Sequence, residues 1–278
     1  MTLKRITLAE CHQELLRIAT IFDQLCQKHH IPYYMLGGTM LGAIRHKGFI
    51  PWDDDMDFGI PRPYFASFVA LAEQELPVRY KLISSKNSLA LKKGFVKIQL
   101  EGSKLIEKVF GEQTESFYNG IAIDIFPLDG VNMASWKSKA RVKLAFLLLR
   151  IQEGRFCSLS IRKGIKKTIA YWIKKLPIND ERLAAYIDKL IQKEAYESAS
   201  QVVNFYGHWK EREIIDKMIF NTPTLYPFAH LYLKGVENYD AYLTALYHDY
   251  RKLPPKEKQI THADEFYIDM PSPSIQEG

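Results

Sequence analysis

From Leu36 to Asp57 the chain reads Leu-Gly-Gly-Thr-Met-Leu-Gly-Ala-Ile-Arg-His-Lys-Gly-Phe-Ile-Pro-Trp-Asp-Asp-Asp-Met-Asp, and that order leaves few ways to fold. Pro32 ends the preceding helix, and Tyr33 to Leu36 reads as a short strand that runs into Gly37 and Gly38. Thr39 to Arg45 then reads as a new helix. A Gly-Gly-Thr turn between a strand and a helix leaves backbone N–H groups free at the helix start, where an anion such as phosphate is favoured. After the turn-like Lys47–Pro51, Met56 to Ile60 alternates as a second strand closed by Pro61. Asp55 and Asp57 flank one apolar residue, and positions i and i+2 of a strand share a face. Two adjacent carboxylates repel unless a cation sits between them, and hard oxygen donors suit Mg²⁺ or Mn²⁺ carrying a substrate phosphate. Asp53 and Asp54 read equally well as braces of the loop.

The surroundings read as α/β. Thr7-Leu8-Ala9-Glu10 has the form of a capping box, and Cys11, Leu15, Ile18, Phe22 and Leu25 recur at helical spacing. Tyr64 to Leu76 is helical by its apolar spacing; Tyr80–Ile83, Phe95–Leu100 and Ile121–Phe126 are strand candidates, the last closed by a Pro127-Leu128-Asp129-Gly130 turn. Asp124 lies between Ile123 and Ile125, and an acid presented from an apolar strand suits a metal ligand or a base of raised pKa. Beyond Trp136 the chain reads as mostly helical: two basic stretches, then helices over Glu181–Glu197, Lys210–Met218 and Tyr239–Tyr250. The fold class expected is α+β with an α/β-like core, a mixed sheet with flanking helices. With no repeat and no low-complexity linker, residues 1–278 read as one unit, 1–135 as the catalytic core and 136–278 as a basic helical region completing the site.

Charge is unevenly spread. Residues 136–176 hold twelve Lys and Arg against one acid, Glu153, within a chain whose overall charge is +6. Such an excess points to a polyanionic partner. Leu144–Leu149, flanked by Arg141, Lys143 and Arg150, has the composition of a helix lying in a membrane interface, so contact with an anionic membrane is an expectation. No stretch reaches the roughly 18 apolar residues of a spanning helix. The basic residues carry no RNA-binding motif, so no nucleic acid is expected. Cys11, Cys26 and Cys157 form no CxxC pair or disulfide framework and the N-terminus lacks a signal-peptide core, which predicts a cytoplasmic location, at the inner face of the cytoplasmic membrane if the basic region docks there.

Taken together, the Gly-Gly turn, Asp-x-Asp and a third acid on a later strand resemble the nucleotidyltransferase fold. The wording from Gly38 to Asp57, followed by Asp124-Ile-Phe-Pro-Leu-Asp-Gly130, Tyr239-Asp-Ala-Tyr-Leu243 and Leu253-Pro-Pro255, resembles the LicD family of phosphocholine transferases, whose core is shared with fukutin-related ribitol-phosphate transferases. The resemblance runs from about residue 10 to 260. It implies transfer of a phospho-alcohol, usually phosphocholine from CDP-choline or a related CDP-alcohol, to a sugar hydroxyl of a teichoic acid or lipopolysaccharide precursor, with release of CMP. By the same resemblance Asp55 and Asp57 would hold the divalent ion, and Asp124 would complete the site as ligand or base. Gly37, Gly38 and Thr39 would cradle the phosphate, Arg45 and Lys97 would stabilise charge on the transferring group, and Tyr239 and Tyr242 are candidates for donor binding. Two rival readings are the same fold moving ribitol phosphate, glycerol phosphate or a nucleotide, and a non-catalytic binder of RNA or anionic lipid. The C-terminal part departs from the family pattern at Phe228-Ala229-His230, Gly235 and Tyr247-His248-Asp249-Tyr250.

Overall fold

The computed structural model describes residues 3–85, 94–109, 112–114, 120–156 and 165–269. It opens with β1 (Leu3–Ile6), α1 (Leu8–Lys28), β2 (Tyr34–Met35), α2 (Gly37–Arg45), β3 (Asp57–Pro61), α3 (Arg62–Glu75) and β4 (Tyr80–Ile83). β5 (Val96–Leu100), β6 (Ser103–Val109), β7 (Glu112–Thr114) and β8 (Ala122–Val131) lead to α4 (Trp136–Phe156), α5 (Ile165–Lys175) and α6 (Asp180–Ile191). The remainder holds β9 (Gln201–Val203), β10 (Ile214–Asp216), β11 (Thr224–Phe228), β12 (Leu231–Gly235), α7 (Tyr239–Tyr247) and β13 (Ala263–Asp269). The α+β class expected from the sequence is the class observed. No helix among the described residues is long and apolar enough to cross a membrane. Cys157, Arg162 and Lys163 lie outside the described residues.

α1 is set by its cap. The Thr7 hydroxyl accepts from the Glu10 N–H at 3.2 Å, and the Glu10 carboxylate accepts from the Thr7 N–H at 2.7 Å, so two otherwise orphaned donors are satisfied. The residues that recur at helical spacing, Cys11, Leu15, Ile18, Phe22 and Leu25, are all buried. Phe22 packs on Tyr33, Phe58 and Phe68, which presses α1 against the sheet. Burying each such side chain stabilises the fold by roughly 1.5–3 kcal/mol.

β8 organises the main sheet. Its first half pairs antiparallel with β5, its second half antiparallel with β9, and β3 runs parallel to it on the other side, with β2, β4 and β10 extending the sheet to seven strands. The sequence places a turn at Pro127–Gly130; the strand instead continues to Val131. Pro127 falls between the end of the β5 pairing at Ile125 and the start of the β9 pairing at Asp129, where a missing N–H does not break an antiparallel ladder. A second, four-stranded sheet has the order β1-β13-β6-β7, and β11 and β12 form a hairpin.

The C-terminal half is richer in strands than its composition suggests. Lys210–Met218, expected as a helix, is a 3₁₀ turn (Lys210–Glu213), then β10, then a second 3₁₀ turn from Lys217 to Phe220. The β-branched Ile214 and Ile215 are taken up by pairing with β9. α6 stops at Ile191, short of the expected Glu197. Its Leu183, Ile187 and Ile191 pack with Val142, Phe146 and Leu149 of α4 into a second apolar cluster that also takes in Phe205. Arg62, the first residue of α3, forks onto buried Asp129 of β8 through bonds of 2.6 and 2.7 Å and ties that helix to the sheet.

Candidate active site

β2, the start of α2 and β3 meet at one end of the main sheet. The Leu36 N–H donates to the Asp57 carbonyl, and the Asp57 N–H donates to the Thr39 hydroxyl at 2.8 Å, so the Gly-Gly turn and the first residue of β3 are locked together. Gly37 adopts φ +47°, a conformation that glycine tolerates without strain. A Cβ on Gly38 would sit 2.7 Å from an oxygen of Asp53, so a larger residue there would push the Asp53 carboxylate aside. The Gly37 N–H donates to the Tyr242 hydroxyl at 3.0 Å, a contact from α7. Gly38 and Thr39 are within the first turn of α2, where N–H groups have no carbonyl partner in the helix.

The acids converge from two strands and a loop. Asp57 opens β3 and Asp124 is its register partner on β8, while Asp55 lies in the loop just before the strand. On the other side of β8, Lys97 of β5 faces Asp124, its Nζ 2.7 and 3.0 Å from the two carboxylate oxygens. Burial, reinforced by Asp55 and Asp124, pushes Asp57 well above the usual carboxylate range. Burial and the charge of Asp124 raise Asp55 to about 6, and burial with the charge of Asp55 raises Asp53 to about 8. Lys97 resists the loss of charge that burial favours, because Asp124, Asp55 and Asp57 hold its pKa above the ordinary value.

Asp54 is turned the other way. Its carboxylate accepts from the Ala263 N–H at 2.7 Å and faces the His262 Nδ1 at 3.1 Å, which clips β13 to the acidic loop. Asp53, Asp54 and His262 together bring ligand atoms within 4.8 Å of one another. The hydrogen bond to Asp54, with the charges of Asp55, Asp54 and Asp53, raises His262 to about 9. A histidine raised in the folded state contributes stability that is complete below its unfolded pKa of about 6.5 and lost as pH climbs through the folded value. In metal-free buffer the melting temperature should therefore fall between about pH 6.5 and 9 by more in the wild type than in His262→Gln. Parallel pH profiles in thermal denaturation would refute the clip. The effect is modest, because the imidazole is largely exposed.

These groups face a cleft of about 980 Å³. Gly37, Gly38, Arg45, Asp55, Asp57 and Asp124 line it. Arg45 reaches it from the end of α2, its guanidinium donating to the Tyr250 carbonyl at 3.0 Å. Lys97, Thr39 and Tyr242 stand behind the lining: Lys97 on Asp124, buried Thr39 on the Asp57 N–H, and buried Tyr242 on the Gly37 N–H. Tyr239 is elsewhere, packed near Tyr226 beside a separate pocket with Met218 and Asp240. The lining also includes Trp209, Glu213 and His262, which the sequence does not single out, and Tyr247, whose hydroxyl lies beside Gly37. Glu213 is buried, accepts the Trp209 N–H at 2.9 Å and is raised by burial to about 7. Trp209, Glu213 and His262 are isolated residues more than 80 positions beyond Asp124, with no local pattern to mark them.

Residues 30–144 match the family described as LicD/FKTN/FKRP, nucleotidyltransferase domain. Over 274 residues the chain is 31% identical to the lipopolysaccharide cholinephosphotransferase LicD of Haemophilus influenzae, an alignment covering 96% of this chain and the whole of that protein. The chain belongs to the LicD family. It is also 29% identical over 124 residues to the human ribitol-5-phosphate transferase FKTN, covering 43% of this chain and 25% of that protein. The LicD-family match takes in the turn, the acidic loop, Lys97 and Asp124; Trp209, Glu213, Tyr247 and His262 lie beyond residue 144. As a LicD-family member the chain is an enzyme of the phosphotransferase type.

Proposed function

We propose that this protein transfers phosphocholine from CDP-choline to a sugar hydroxyl of a cell-surface glycan, a lipopolysaccharide or teichoic acid precursor, releasing CMP. The observation that carries this reading is the group of Asp55, Asp57 and Asp124 in a cleft that opens at the Gly37–Gly38 turn. Its full-length similarity to a cholinephosphotransferase supports the choice of alcohol. Residues 136–278 would complete the donor and acceptor site through Trp209, Glu213 and Tyr247.

The donor set fits a divalent cation. It is all oxygen, it is crowded, and burial with mutual repulsion drives its pKa values up, which is the arrangement a hard cation such as Mg²⁺ or Mn²⁺ relieves. Asp55 and Asp57 would hold the ion, with Asp124 or Asp53 completing the set. A bound ion would supply neutralising charge at the diphosphate and at the departing CMP. The N–H groups of Gly38 and Thr39 would bind phosphate oxygens, and Arg45 would stabilise the charge that spreads over the transferring group. In the reaction the acceptor hydroxyl oxygen bonds to phosphorus as the bond from phosphorus to the CMP oxygen breaks. The hydroxyl proton would pass to a cleft carboxylate, for which Glu213, among the lining residues and raised by burial to about 7, is a candidate.

CMP release should be tested from CDP-choline, CDP-ribitol and CDP-glycerol, with Mg²⁺ or Mn²⁺ and a cell-envelope glycan extract. Preference for CDP-choline is expected. Preference for CDP-ribitol would favour the second reading, which the similarity to FKTN motivates. Absence of CMP release from all three would overturn the reading. Because Asp55 and Asp53 are raised to about 6 and about 8, protons must leave before the ion binds. The affinity of the apo-protein for Mg²⁺ should accordingly climb as pH rises through these values, with proton release seen as a buffer-dependent heat in titration calorimetry. A pH-independent affinity would place the ion away from these acids.

A further inference from the structure

The outer face of α4 and α5 has no role in the cleft chemistry. Its aromatic and aliphatic side chains are bare: Trp136 is 73% exposed, Leu147 53% and Trp172 64%, and Tyr171, Leu144 and Leu176 are exposed beside them. On α4, Trp136, Lys143, Leu147 and Arg150 fall along one side at helical spacing, away from the Val142, Phe146 and Leu149 side that packs on α6. On α5, Tyr171, Trp172 and Lys175 recur in the same way. Lys137 lies over the Trp136 ring at 5.8 Å and Lys175 over the Tyr171 ring at 4.5 Å, so on each helix a cation stands against an exposed ring.

The charge on this face is unbalanced. Arg141, Arg150 and Arg155 are each paired with an acid, Glu194, Glu211 and Asp180. Lys137, Lys139, Lys143, Lys174 and Lys175 make no ion pair among the described residues. Glu153 is the one acid between residues 136 and 176, and its carboxylate is at the cleft, 3.2 Å from Lys210. The face therefore presents lysines, indoles and leucines, with Glu211 beside Arg150 as its acid. A free phosphate or a nucleic acid would use the lysines and leave Leu144, Leu147 and Leu176 in water. An anionic bilayer uses both, lysines on lipid phosphates and aromatic rings at headgroup level.

We propose that the α4–α5 face docks on the surface of an anionic phospholipid bilayer. α4 links this face to the active site, since Glu153 lines the cleft about 25 Å along the helix from Trp136. A glycan acceptor carried on a membrane lipid would then be within reach.

Cosedimentation of the full chain with vesicles of phosphatidylcholine, alone or mixed with phosphatidylglycerol, tests the proposal. The chain should pellet with the mixed vesicles and not with phosphatidylcholine alone. Binding should weaken about fivefold for each lysine neutralised, and further in the charge-reversed pair Lys137→Glu with Lys143→Glu. Leu147→Ser with Trp172→Ser should weaken it as well, and bromine-labelled lipid should quench tryptophan emission in the wild type more than in that pair. All four side chains are exposed, so the melting temperature should be unchanged and folding is not a confounder. No pelleting with anionic vesicles would overturn the proposal. So would pelleting that neither pair reduces, or tight binding to polyuridylate combined with no lipid quenching, which would identify a surface for nucleic acid.

Discussion

Asp57→Asn should lower CMP release by at least about a thousandfold, since it removes one of the two carboxylates proposed to hold the divalent ion in the cleft. The same substitution should raise the melting temperature in metal-free buffer. Burial and the neighbouring acids Asp55, Asp124 and Asp53 hold the Asp57 pKa well above its unfolded value, so at neutral pH the fold is destabilised by keeping this carboxylate among like charges. The gain should be greatest at high pH and vanish below about pH 4, where the acid is protonated in both states. Activity assays and thermal denaturation with a chelator read the two effects separately. Opposite signs would identify Asp57 as a residue held for chemistry at a cost in stability. A fall in both would mean that its oxygens are needed to build the fold.

The largest loss of stability is expected at Arg62 and Asp129. Asp129 is 1% exposed, and burial pushes its carboxyl up even with the Arg62 guanidinium forked onto it. Arg62→Ala would leave that carboxylate buried with its partner gone, at a cost of about 3–5 kcal/mol. For a chain of this size that is a fall of roughly 10 °C in melting temperature. Arg62→Met combined with Asp129→Leu should recover most of it, because two apolar groups have no unmet desolvation. The exposed pair Arg251 and Asp240, at 2.5 Å, is the contrast: Arg251→Ala should cost less than about 1 kcal/mol. Equal losses at the two sites, measured by denaturant titration, would remove burial as the explanation.

Much of the first half could be read from the chain because its signals are local. The Thr7–Glu10 cap, the spacing of Leu15, Ile18 and Phe22, and the Gly37-Gly38-Thr39 turn each fall within a few residues, and each structural feature sits where its signal does. Asp57 stands out by its spacing from Asp55 and Asp124 by its apolar neighbours, and the structure makes Asp57 and Asp124 register partners. Spacing gave less in the second half. Ile214 and Ile215 fit a helix as well as a strand until β9 is beside them. β11 and β12 conceal a hairpin behind Pro227, which pairs with Tyr232. Lys97, a candidate for stabilising charge on the transferring group, pairs with Asp124, a contact fixed by the β5–β8 register that no short segment encodes. His262 and Glu213 gain their meaning only from acids more than 150 residues earlier in the chain.

The pairing of β1 with β13 sets an order of events for synthesis. Leu3 lies opposite Asp269 and Ile6 opposite Phe266, and Asp54 of the acidic loop takes its backbone partner from Ala263. As the polypeptide leaves the ribosome, the acidic loop emerges long before the strand that fastens it at Asp54. Asp54 must wait without its Ala263 and His262 partners until residue 269 is free of the exit tunnel. A nascent chain should therefore gain its protease-resistant core late and in one step, and stalling translation just short of β13 should leave the N-terminal strand open to cleavage.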